Sequence, residues 1–208
     1  ELDKELEKRG HPFVRYGDDC NIYVRSQRAG ERVMASISRF ITQRLQLKIN
    51  LSKSAVARPR ARKFLGFSFT GSGGVHRRKV APESIRRFKQ RVRQLTRRTR
   101  CMNWQERIAQ LSHYLHGWKA YFGFAETTRQ FKDLDSWIRR RLRCALWKQW
   151  KTYRRRKQAL MGLGVQQSLA HTTAWSSKGP WRMCHTPGVQ IALSNSYFDR
   201  LGLPKLSA

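Results

Sequence analysis

Phe13-Val14-Arg15-Tyr16-Gly17-Asp18-Asp19-Cys20-Asn21-Ile22-Tyr23-Val24 sets two runs of β-formers on either side of a polar Gly-Asp-Asp. Apolar and aromatic residues flanking a short turn-prone step predict a tight β-hairpin. Upstream, Leu2 and Leu6 stand four apart on a short charged helix that Gly10 and Pro12 end. Downstream, Val33, Ile37, Phe40, Ile41 and Leu45 keep a helical period from Ala29 to Leu45. Short strands are expected around Leu47-Lys48-Ile49 and Ser54-Ala55-Val56. A longer one is expected over Lys63 to Phe69, with Gly71-Ser72-Gly73-Gly74 as its turn.

After Pro82 the texture changes. Proline suits a first helical turn, and Ile85, Phe88, Val92 and Leu95 form one apolar stripe behind it. A second helix reads from Trp104 to Trp118 on Ile108, Leu111 and Leu115. A third reads from Phe131 to Lys157 on Leu134, Ile138, Leu142, Ala145 and Tyr153. From Gly162 onward Gly, Pro, Ser and Trp predict irregular structure with short helices. The expected class is therefore α+β: a small mixed piece, then a basic helical bundle, divided near residues 75–82.

Composition narrows the partner. The 208 residues carry 44 Lys and Arg against 13 Asp and Glu, a net charge of +31. A body so charged repels itself unless a polyanion neutralises it. With 39% hydrophobic residues and seven Trp, a core can form, which excludes a disordered basic tail. No apolar run approaches the roughly 18 residues of a membrane span; charge with a core points to nucleic acid ahead of an anionic membrane surface, and no membrane partner is expected. Cys20, Cys101, Cys144 and Cys184 lack metal or redox spacing, and a reducing cytoplasm is the natural setting. The chain opens Glu1-Leu2-Asp3-Lys4, without an apolar leader, and reads as one picked up part-way.

Asp18 and Asp19 are the sharpest chemical feature. They are the sole acids between Glu7 and Glu31, and none follows Glu31 until Glu83. Two carboxylates leaving a turn can hold Mg²⁺, a hard cation with oxygen ligands. An ordinary Asp-rich β-turn accounts for Gly17-Asp18-Asp19 as well. A second feature is the basic stripes on the later helices: Arg86, Arg87, Lys89, Arg91, Arg93, Arg97 and Arg98, then Arg139, Arg140, Arg141, Lys148, Lys151, Arg154, Arg155 and Arg156. Such stripes track phosphates, and affinity through them falls as salt rises; a solvated helix face is the plainer alternative. Trp104, Trp118, Tyr121, Phe122, Trp137 and Trp147 read as core, whereas Trp175 and Trp181 divide evenly between core and stacking platforms. His113 and His116 stand three apart without a third ligand, which favours packing or hydrogen bonding over metal.

Phe13 to Asp19 resembles the aspartate hairpin of bacterial group II intron reverse transcriptases. Leu47-Lys48-Ile49-Asn50 with Lys53-Ser54, and then Phe64-Leu65-Gly66-Phe67, resemble that family's next two blocks at the base of the palm. Gly117-Trp118-Lys119-Ala120-Tyr121-Phe122 looks like the signature of the maturase-specific X domain. Leu134 to Arg141, Trp147 to Lys151, Gly179-Pro180-Trp181 and Asn195-Ser196-Tyr197-Phe198 fit the same domain.

The resemblance implies the C-terminal fragment of a right-hand polymerase: palm over residues 1–75, the start of the thumb over 76–100 and the X domain over 101–208. It implies RNA-templated DNA synthesis with Mg²⁺ on Asp18 and Asp19, with Tyr16, Gly17 and Phe64 to Phe67 shaping the primer end and Lys53 near phosphate. It implies as partners a group II intron RNA, template–primer, and an upstream palm and fingers segment bearing a third aspartate. Gly17 departs from the family's usual Ala. No nuclease-like motif follows Leu203, as in the compact bacterial class that lacks an endonuclease. A chain without fingers and third aspartate leaves an alternative: a non-catalytic RNA-binding maturase remnant lacking polymerase activity.

Overall fold

Caps, prolines and positive-φ turns fix where each element starts and stops. The computed structural model describes residues 1–72, 75–97 and 102–207. The chain divides into two compact units, Glu1–His76 and Arg77–Ala208, and its architecture is α+β.

In the first unit α1, Leu2–Lys8, buries Leu6 completely. Strands β1, Phe13–Tyr16, and β2, Asp19–Ile22, pair antiparallel with Tyr16 opposite Asp19, so the hairpin loop is Gly17-Asp18. Gly17 sits at φ +58. That value suits the first central position of a type II′ turn, which glycine reaches without a Cβ penalty. Helix α2, Gln27–Gln43, begins at Ser26, whose hydroxyl accepts the Ala29 N–H at 3.2 Å. Of its apolar stripe Ile37 is buried, and Val33, Phe40, Ile41 and Leu45 are half-buried. Gly30 is buried on this helix because Val56 packs where a Cβ would stand.

Three expectations change here. No strand forms at residues 47–49 or 54–56. Asn50 instead holds a turn: its side-chain oxygen accepts from the Ser52 hydroxyl at 2.7 Å and the Lys53 N–H at 3.3 Å. The single strand expected over Lys63 to Phe69 is a second tight hairpin. Strands β3, Lys63–Phe64, and β4, Phe67–Ser72, pair with Phe64 opposite Phe67. Leu65 at φ 51 and Gly66 at φ 76 supply the two positive values of a type I′ turn. Of the expected glycine turn, Gly71 and Ser72 end β4, and Gly73 and Gly74 lie outside the described residues. Strand β5, Val75–Val80, completes a sheet in the order β3-β4-β5.

The second unit is the helical body. Helix α3, Pro82–Leu95, starts with proline in its first turn and buries Ser84, Phe88, Val92 and Leu95. Helix α4, Trp104–Phe122, is capped by Asn103 and buries Ile108, Leu111, Leu115 and Trp118. Phe88 meets Trp118 at 4.4 Å between ring centroids, and Trp118 meets Phe131 edge-on at 5.8 Å. Each such aromatic contributes about 1.5–3 kcal/mol through burial alone. After α4 the chain returns to β5: the Glu126 N–H donates to the Arg78 carbonyl at 2.8 Å, and the Arg78 N–H donates to Glu126 Oε2 at 2.7 Å.

Helix α5, Thr128–Gln149, is the spine, and its inner face is sealed by Leu134, Ile138, Leu142 and a fully buried Trp147. The single long helix expected to Lys157 is broken at residues 150–152. There Thr152 caps a separate α6, Tyr153–Gly162. The remainder is more regular than its composition implies: α7, Gln167–Trp175; α8, Pro180–Met183; α9, Pro187–Ala192; and α10, Asn195–Arg200. Pro180 and Pro187 open their helices, and the Ser194 hydroxyl caps α10 by accepting the Tyr197 N–H at 3.3 Å.

Candidate nucleic-acid interface

In the first unit the hairpin tip is held from α1. Arg15 donates twice to Asp3, from Nε and Nη2 at 2.6 Å each, and from Nη1 to the Gly17 carbonyl at 3.0 Å. The Arg15 hydrogen bonds hold the Asp3 carboxyl below its ordinary value, and Asp3 raises that of Arg15 in return. Asp18 and Asp19 project from this braced turn and are exposed, as is Tyr16 opposite Asp19. Two hard oxygen donors on a fixed turn fit Mg²⁺ in kind. They stand as a pair, because no group of three His, Cys, Asp or Glu suited to a metal occurs among the described residues. Phe64, Leu65, Gly66 and Phe67 lie on the other sheet of this unit. Lys53 is exposed, and its carbonyl accepts from Arg62.

In the second unit the basic stripes sort into outward and inward cations. Arg86, Arg87, Arg91 and Arg93 stand exposed along α3, with Arg97 just beyond it; Arg98 lies outside the described residues. Trp137 on α5 gathers Lys89, Arg93 and Arg141 at 5.9, 5.6 and 5.4 Å from its ring. The indole face offsets part of the mutual repulsion of these cations, and a phosphate backbone would offset the rest. Arg141 also donates to Thr96 Oγ1 at 2.7 Å, and Arg107, buried, donates to the Arg97 carbonyl at 2.7 Å. Both cations thus sit at the negative end of α3, which fixes the stripe in place.

Arg139 is a correction to the sequence reading. Its side chain is 5% exposed and lies 3.8 Å from Asp135 and 3.2 Å from Asp199, so it serves the core. Arg143, four residues on, is also buried: it donates to the Leu193 carbonyl at 2.7 Å and Asn195 Oδ1 at 3.3 Å. Arg140 lies 3.8 Å over the Trp181 ring, and Arg156 packs 4.7 Å over Trp147 while donating to the Trp150 carbonyl at 2.9 Å. The α5 arginines therefore clamp the C-terminal segment. Asp135 completes that clamp by accepting from the Leu206 N–H, the Ser207 N–H and the Ser207 hydroxyl at 3.0, 3.1 and 2.8 Å. Lys148, Lys151, Arg154 and Arg155 are exposed. No acid occurs in sequence between Asp135 and Asp199, and Arg139 in that stretch draws its counter-anions from these two flanking aspartates.

Tyr121, expected in the core, is instead 51% exposed. The ring Nδ1 of His116 bonds the Ser112 carbonyl at 2.8 Å, and His113 is exposed. Cys20 is half-buried and Cys101 lies outside the described residues. Cys144 and Cys184, far apart in sequence, are buried neighbours. The hydrogen bond between their free thiols, then burial, pushes Cys184 above the usual thiol range. No helix among the described residues is long and apolar enough to cross a membrane.

Residues 85–162 match the family described as "Group II intron, maturase-specific domain". The match takes in α3 from Ile85, all of α4 and α5, and α6 through Gly162. No curated protein matches the chain.

Proposed function

Starting from a chain that carries a group II intron maturase-specific domain over residues 85–162, we propose that it is the C-terminal part of an intron-encoded reverse transcriptase and maturase. It binds intron RNA and template–primer and assists splicing by holding the folded RNA. The observation that carries this reading is the exposed α3 stripe, Arg86, Arg87, Arg91 and Arg93, inside the matched domain. Folded RNA presents phosphates and 2′-hydroxyls rather than readable base edges, so these residues position more than they specify.

The second part of the proposal assigns the first unit to the end of the palm and α3 to the thumb. Asp18 and Asp19 would then hold Mg²⁺ on the Arg15-braced turn. When bound, the metal activates a primer 3′-hydroxyl and stabilises departing pyrophosphate. Tyr16, opposite Asp19, would border the primer end, and Gly17 sets the turn that aims both carboxylates. The exposed Val14, Tyr16, Leu47 and Leu51 would find their cover in the upstream palm and fingers segment that the resemblance implies.

Binding of a group II intron RNA across a salt series tests the first part. Affinity should fall steeply with salt, and Arg86→Ala should flatten that slope by about 0.7–0.9 for each phosphate the arginine neutralises. Binding that ignores salt would refute it. Primer extension by the polypeptide that joins this chain to palm and fingers tests the second part. Asp18→Ala and Asp19→Ala should each abolish extension while intron binding persists; extension that survives both substitutions removes the metal assignment.

A further inference from the structure

Aromatic residues on a cationic surface usually face the core, and Trp175 does not. It ends α7 with 74% of its surface exposed. Its neighbours build a fixed frame: His171, one turn earlier, lies parallel to it at 6.4 Å between centroids, and Tyr153 meets both rings edge-on at 5.5 and 5.7 Å. From Tyr153 a shallow groove runs along α6 to the exposed Met161, with Arg154 and Lys157 on its walls. Tyr153 and Met161 stand eight residues apart on this helix, about 12 Å. Trp181 differs, because the Arg140 guanidinium already covers its ring at 3.8 Å.

We propose that Trp175, framed by His171 and Tyr153, is a stacking shelf for an unpaired RNA base, with Arg154 and Lys157 taking the flanking phosphates. The proposal rests on the RNA-binding reading above and adds a ligand class to it: single-stranded or flipped-out nucleotides, not duplex. Three observations carry it. An open indole face stacks any base, since every base has a π-face. The groove that starts at Tyr153 carries two cations, Arg154 and Lys157, on a mostly apolar lining, in a stretch with no acid from residue 136 to 198. And the ring already packs against Tyr153 and His171, contacts that favour one orientation before a base arrives. An apolar protein partner would instead bury Arg154 and Lys157 against nothing of opposite charge on this chain.

The test uses the full chain with two probes, an oligouridine too short to fold and a blunt RNA duplex of the same length. Trp175→Ala should weaken oligouridine binding about tenfold or more, Trp175→Phe should restore most of it, and duplex affinity should not move. Arg154→Ala should weaken oligouridine binding and flatten its salt dependence. Sedimentation of each variant reports folding and oligomeric state. Oligouridine binding indifferent to Trp175→Ala, with duplex binding intact, overturns the shelf alone. A dimer of the parent chain that Trp175→Ala splits assigns the face to a second copy and also overturns it. Failure of the parent chain to bind either probe removes the RNA-binding reading and the shelf together.

Discussion

Replacing Arg139 with alanine separates cations that hold the fold from cations that meet RNA. Its guanidinium is 5% exposed, with Asp135 at 3.8 Å and Asp199 at 3.2 Å. Removing one member of a buried ion pair costs about 3–5 kcal/mol, because the other charge stays behind without its partner. Two features place this site at the low end. Asp135 keeps three hydrogen bonds from Leu206 and Ser207, and Asp199 is 34% exposed with Lys205 at 2.7 Å. The expected loss is therefore about 3 kcal/mol in urea unfolding of the full chain, with the m-value unchanged. The salt slope of RNA binding, measured below the unfolding transition, should not move. Were Arg139 bound to a phosphate, that slope would flatten by about 0.7–0.9. Arg86→Ala should give the reverse pattern: stability within about 0.5 kcal/mol and a flatter slope. A stable Arg139→Ala protein with a flattened slope would refute the division between clamping and RNA-facing arginines.

Gly17→Ala should destabilise the hairpin by about 1–2 kcal/mol, read as faster amide exchange in β1 and β2; the cost comes from φ +58 alone, since nothing lies within 4 Å of the added Cβ. Gly188→Ala should lower the melting temperature through about 1–3 kcal/mol of overpacking, because the new Cβ meets the Thr173 side chain; an unchanged melting curve would contradict the close approach of α7 and α9. The Asp3–Arg15 link should depend on pH. Arg15 depresses the Asp3 carboxyl, so its contribution is complete above the ordinary value of 3.8 and fades as pH falls through the lower folded value. Hairpin protection should drop on acidification in that window, and Asp3→Asn should remove the dependence.

Much of the fold was legible because the deciding signals are local. Gly17 between β-forming runs gives the hairpin, the Val33, Ile37, Phe40, Ile41 period gives α2, and the Phe88, Val92, Leu95 stripe gives α3. The second hairpin was not legible, since Leu65 at φ 51 is a residue that rarely adopts that value, and Lys63 to Phe69 otherwise reads as continuous strand. The break after α5 depends on Thr152 acting as a cap, a choice that a continuing apolar period conceals. At the candidate interface, charge alone pointed to the α3 stripe but misplaced Arg139. Asp135, Arg139 and Arg143 are spaced four apart beside Leu134, Ile138 and Leu142, a pattern that places ion pairs on the core face. Their partners, at residues 193 to 207, are too distant in sequence for any periodicity to reveal.

That distance carries a consequence for synthesis of the chain on a ribosome. Ser207 follows Asp135 by 72 residues, and Leu193 follows Arg143 by 50. At about 5–20 residues per second, α5 emerges some 4–14 s before the last group that satisfies its buried charges. During that interval Asp135, Arg139 and Arg143 are solvated ions on a helix that cannot yet seal, and nascent α5 presents them all to any RNA nearby. The inward turn of Arg139 and Arg143 waits for residues 193–199 to emerge, and it withdraws from the surface charges that the shorter nascent chain had displayed.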